Sequence, residues 1–94
     1  MIQHTVCFKL KPNENIGKAV EILRSMQGKV PTALKIDVGV DFLKSTRSYD
    51  IILQVVLKDK EALNEYQQDE YHCSVVKKHM HAVVEKSVSV DCEI

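Results

Sequence analysis

Tryptophan is absent from this sequence, and aromatic residues supply only 5% of it. Domains that read single-stranded RNA stack bases on aromatic rings of central strands. The one strongly apolar stretch here, YDIILQVVL, offers only Tyr49, at its end. An excess of charge is missing too. Thirteen basic residues balance thirteen acidic ones, and the longest basic run is Lys77-Lys78, so no net field draws in nucleic acid or an anionic membrane. Neither is expected as a partner. Gly17, Gly28 and Gly39 form no cluster that could cradle a phosphate, so no nucleotide cofactor is expected. Cys7, Cys73 and Cys92 are odd in number and lack CxxC spacing, which reads as reduced, partly buried thiols. There is no GxSxG elbow, and no cysteine flanked by a base with an orienting partner, so nucleophilic hydrolysis has no candidate. No segment approaches the ~20 apolar residues of a membrane span, and the amino terminus alternates where a leader would be continuously apolar. A soluble, cytoplasmic protein is expected.

What is present is a globular composition: 45% apolar and 28% charged over 94 residues, enough for a single domain spanning 1–94. In IQHTVCFKL, Ile2, His4, Val6, Phe8 and Leu10 alternate with Gln3, Thr5, Cys7 and Lys9, which predicts a strand with one apolar face. Pro12-Asn13 supplies a stop and a cap. Ile16, Ala19, Val20, Leu23 and Met26 then recur at helical spacing until Gly28 and Pro31. Residues 33 to 42 alternate again, with Leu34, Ile36, Val38, Val40 and Phe42 on one side. The stretch from Tyr49 is too apolar for one-sided burial and predicts a third strand covered on both faces. Asp59 can cap a short helix carrying Leu63 and Tyr66, and Asp69 can cap a second running to about Val84. KSVSVDCEI supplies a fourth strand.

Strand, helix, strand, strand, helix, strand, with right-handed crossovers, gives an α+β, ferredoxin-like protomer: a four-stranded antiparallel sheet with its helices on one face. Alternation sends Ile52, Val56 and Cys7 to the other face. A second copy is a natural cover, and a homodimer through facing sheets is expected.

Three of the four histidines fall in EYQQDEYHCSVVKKHMHAVV, residues 65 to 84. His72 and His79 share a helical face but sit two turns, roughly 10 Å, apart, while metal bonds to histidine are about 2 Å. His79 and His81 point about 200° apart. The helix alone therefore holds no metal, and none is expected. His79 falls on the apolar stripe of Val75, Val76, Met80 and Val83. His81 and Cys73 fall off it and read as surface groups. His72 lies at the helix entrance, three residues after Asp69, whose carboxylate favours a protonated ring. An imidazole poised near neutrality there serves as acid or base; the competing reading is a structural role in the helix start. His4 interrupts an apolar strand face, and a buried polar ring needs a partner. The last strand lies beside the first in this topology, so Asp91 is the expected partner.

The segments MIQHTVCFKLK, VPTALKIDVGVDF, SYDIILQVVL and LNEYQQDEYHCSVV, with the closing VSVD, resemble the stress-responsive dimeric α/β-barrel (Dabb) family. The likeness runs from Met1 to Asp91; its clearest points are His4, Pro31, Gly39, Tyr49 and the spacing of Tyr66 to His72. It implies a ferredoxin-like protomer whose sheet pairs into a dimeric α/β barrel, with a pocket between sheet and helices. In plant polyketide cyclases of this family the positions matching Tyr66 and His72 bind substrate and act as acid or base, without a cofactor. The resemblance thus marks Tyr66 and His72 as catalytic candidates, and His4, Asp91 and Tyr49 as substrate-binding ones. Two departures stand out. The position of a second catalytic histidine falls at Ile51, which cannot transfer a proton, and the family's His-Pro before the final helix is replaced by Asp69-Glu70. Two function classes follow: a module that binds a small, partly apolar molecule, and a cofactor-independent cyclase, isomerase or monooxygenase-like enzyme.

Overall fold

Alternation in IQHTVCFKL becomes β1, Ile2–Leu10, which buries Ile2, His4 and Leu10 on one side. A computed structural model describes residues 1–94. After β1 come α1 (Ile16–Arg24), β2 (Lys35–Val40), β3 (Ile51–Leu57) and α2 (Lys60–Gln68). A π-helical segment over His72–Lys77 then leads directly into α3 (Lys78–Val83) and β4 (Val84–Glu93). The strands form one sheet in the order β2-β3-β1-β4, every neighbouring pair antiparallel. This is the ferredoxin-like arrangement.

Local chemistry sets the helix starts. Asp59 Oδ1 accepts from Ala62 N at 2.8 Å, capping α2 as its position predicts. The cap of α1 is Asn15, whose Oδ1 accepts from Lys18 N at 2.9 Å; Asn13, expected in that role, instead turns the chain at φ 68°. Asp69 Oδ1 accepts from His72 N at 3.0 Å. After α1, Gly28 takes φ 81°, a left-handed turn that a side chain would strain.

The core lies between the sheet and the helices. Leu53, Val55 and Leu57 from β3 pack in one core with Leu23 from α1, Met26 just after it, Tyr66 from α2 and Val76 from the π segment. Each fully buried aliphatic side chain of this kind contributes about 1.5–3 kcal/mol. The far face of the sheet carries Cys7, Ile52, Val56, Val88 and Val90, with Val88 and Val90 more than half or half exposed.

Two elements differ from the alternation. β2 is shorter than 33 to 42: only Ile36 and Val38 reach the core, while Leu34, Val40 and Phe42 are exposed. Phe42 is 91% exposed, because the ladder to β3 ends where Asp41 N donates to Asp50 O and the chain turns away. The helix after Asp69 is not uniformly α. After Glu70 and Tyr71, the six residues His72–Lys77 are π-wound, a wider i→i+5 turn that adds about one residue to the repeat.

Candidate functional site

A cavity of about 260 Å³ opens between the sheet and the helices. Three elements aim a polar ring into it: β1 brings His4, α2 brings Tyr66, and the π segment brings His72. All three are buried, Tyr66 completely. Tyr66 stands between the histidines. Its ring meets His4 edge-on at 5.6 Å and lies 4.4 Å from His72 at a tilt of 32°.

Each ring has a partner behind it. His4 Nδ1 lies 2.5 Å from Asp91 Oδ1, across the β1–β4 pairing that sets these two residues opposite each other. That is the tie the topology predicts. Tyr66 Oη donates to Met26 Sδ at 3.6 Å, and His72 Nδ1 sits 3.3 Å from the same sulfur. The walls are apolar, from Val6, Phe8, Leu53, Val76 and Met80, and the polar rim includes Gln67, Lys77, His81 and Ser89. Lys77 Nζ donates to Gln67 O at 3.2 Å. No carboxylate lines the cavity.

Burial dominates the protonation of the rings. It lowers His72 from 6.5 to about 4, with the charges of Lys77 and His4 acting the same way and Asp69 opposing them. The expectation of a ring poised near neutrality is therefore corrected: Asp69 spends an oxygen on the His72 backbone N–H, and desolvation outweighs its charge. Burial, then the Asp69 carboxylate, pushes the Tyr66 hydroxyl far above its ordinary value of 10.0. At neutral pH the site holds a neutral imidazole beside a protonated phenol.

The π segment rearranges the histidines read from helical spacing. With the turn widened, His81 and Met80 share the cavity with His72, while His79 is half-buried elsewhere. His81 is exposed, as expected of a surface histidine, and also borders the cavity. Tyr49 is not brought to this cavity. It lines a separate groove with Cys7, Phe42 and Ile52, and Lys86 Nζ stands 5.5 Å over its ring. The reason is the face it takes: Tyr49 packs with Cys7, Ile52 and Lys86 on the side of the sheet opposite the helices. No group of three histidine, cysteine or carboxylate side chains is gathered as metal ligands.

Met26 is the residue that sequence reasoning missed. Its spacing from Leu23 marked it as part of an apolar stripe, which it is, and nothing in that pattern says that its sulfur faces two polar rings.

With this geometry in hand, the family assignment rests on residues 2–94, which match the sequence profile of the stress responsive A/B barrel domain, Dabb. The chain belongs to the Dabb family. No curated protein matches it by sequence. Among solved structures, a Dabb-family protein with a ferredoxin-like fold from Mesorhizobium loti is 19% identical, with a TM-score of 0.75, covering 99% of this chain and 95% of that one. A dimeric ferredoxin-like protein of unknown function from Bacteroides fragilis is 20% identical, with a TM-score of 0.82 and coverage of 99% and 95%. The hydroxynitrile lyase of Passiflora edulis is 13% identical, with a TM-score of 0.85 and coverage of 99% and 92%. At these identities the likeness fixes the Dabb fold. No helix of this Dabb protein is long and apolar enough to cross a membrane.

Proposed function

We propose that this Dabb protein binds a small, partly apolar molecule in the cavity between its sheet and helices. The observation that carries the reading is the convergence of His4, Tyr66 and His72 on one half-open cavity with an apolar inner wall. Buried polar rings cost free energy unless partnered, and three of them around a void are the arrangement of a ligand site. The absence of carboxylates from the lining favours a neutral or anionic occupant over a cation. Native mass spectrometry of the purified protein tests this directly. A bound molecule that is lost in His72→Ala supports the reading, and a protein that retains no ligand and takes up none from a fragment library sinks it.

A second reading is a cofactor-independent enzyme in which His72 moves a proton and Tyr66 positions the substrate. It is favoured by the neutral state of His72 at physiological pH, which leaves the ring able to accept a proton. A structural neighbour is described as a hydroxynitrile lyase, which supports chemistry on this fold in general. Turnover of the captured molecule that disappears in His72→Ala separates enzyme from module.

The functional unit in this reading is a cytoplasmic homodimer. The exposed apolar far face of the sheet supports pairing of facing sheets into a barrel, as does the description of the Bacteroides fragilis relative as dimeric.

A further inference from the structure

A thioether sulfur has no proton to give, so Met26 Sδ can only accept. It is fully buried, and it meets His72 Nδ1 at 3.3 Å and Tyr66 Oη at 3.6 Å. For the first contact to be attractive, Nδ1 must carry the hydrogen; with the hydrogen on Nε2, two lone pairs would face each other. The Nδ1–H form leaves Nε2 bare. That nitrogen makes no hydrogen bond within the chain. The one buried side-chain oxygen or nitrogen sealed without a partner is Thr32 Oγ1, so His72 Nε2 reaches open space, and His72 lines the cavity.

We propose that Met26 is a positioning residue that holds His72 in its Nδ1–H form, making Nε2 the acceptor for an uncharged hydroxyl of the ligand. The assignment rests on the reading of the cavity as a ligand site. It gives the sulfur that lies behind two polar rings a role beyond filling space. The Tyr66 hydroxyl gives its hydrogen to the same sulfur and so has none to offer a ligand, while His72 Nε2 is a more basic acceptor than the phenol oxygen. A ligand carrying a carboxylate there would set lone pairs against it, whereas a hydroxyl donates. The ring stays neutral at physiological pH because burial opposes its charge, so Nε2 is not blocked by a proton.

Nitrogen-detected two-bond correlation spectra of histidine-labelled protein at pH 7, without ligand, read the form of His72 directly. The expected result is Nδ1–H in the wild type and a shift towards Nε2–H, or a mixture, in Met26→Leu, which keeps the side-chain volume nearly constant. A wild-type ring protonated on Nε2, or an unchanged ring in Met26→Leu, overturns the positioning role. Phenol and its methyl ether, anisole, then probe the ligand class by titration. Phenol is expected to bind about tenfold more tightly in the wild type, and within about twofold of anisole in Met26→Leu. Equal binding of the two to the wild type overturns the hydroxyl assignment. Binding of neither at millimolar concentration overturns that assignment and the ligand-site reading together, while the spectra still decide the role of Met26.

Discussion

The rings of Tyr66 and His72 lie 4.4 Å apart, and both lean on the sulfur of Met26. A phenol and an imidazole sharing one weak acceptor form a unit whose members respond unequally to substitution.

Tyr66 owes its place to its ring more than to its hydroxyl. Tyr66→Phe loses a single weak bond to sulfur and is expected to change stability by no more than about 1 kcal/mol. Tyr66→Ala empties a fully buried site and is expected to cost about 3–5 kcal/mol. Urea denaturation of both variants checks the contrast, and equal losses would contradict it.

Acid should weaken the fold through His72. In the unfolded chain the ring titrates near 6.5, and in the fold near 4. Between those values the unfolded chain holds the proton and the fold does not. Stability therefore falls as pH drops from about 6.5 to about 4, by up to about 3 kcal/mol, and this contribution is level on either side of the window. His72→Gln removes it, so the difference in urea midpoint between wild type and variant should narrow on acidification. A parallel pH dependence in both would refute the assignment.

His4 and Asp91 form a pair in which one partner is buried and the other half-exposed. Asp91→Ala strands the imidazole N–H and is expected to cost about 1–3 kcal/mol. His4→Leu with Asp91→Ala removes both polar groups and should recover most of that loss. A double variant weakened by the sum of the single losses would show that the two residues act independently.

The far face of the sheet gives a test of assembly. Wild-type protein is expected to sediment as a dimer at micromolar concentration, and Ile52→Lys with Val90→Asp as a monomer that keeps its circular dichroism. These positions are partly exposed in the protomer, so charge there costs the single chain little. A monomeric wild type would remove the basis for the barrel.

Much of the fold was legible in the sequence because period-two alternation and cap residues are local signals. β1 and the Asp59 cap follow directly from them, β3 from its unbroken apolar run, and the β1–β4 pairing made Asp91 the natural partner of His4. The end of β2 was not legible, since Phe42 continues the alternation while the ladder stops at Asp41. The π winding was hidden as well. The apolar stripe from Val75 to Val83 fits an α-helix, and nothing in that pattern marks the wider turn that carries the buried His72 and Val76. The part played by Met26 was hidden because spacing reports which side a residue faces but not what its sulfur touches.

The wide turn at His72–Lys77 takes up one residue more than an ordinary α turn needs for about the same rotation. Deleting a single amino acid there would let the backbone relax to the ordinary repeat and leave Met80 and Val83 still turned to the sheet. A deletion inside α3 has no such slack and would swing every residue between it and β4 by roughly 100° about the axis. The widened segment thus absorbs a change of length while the rest of the helix stays in step with the sheet beneath it.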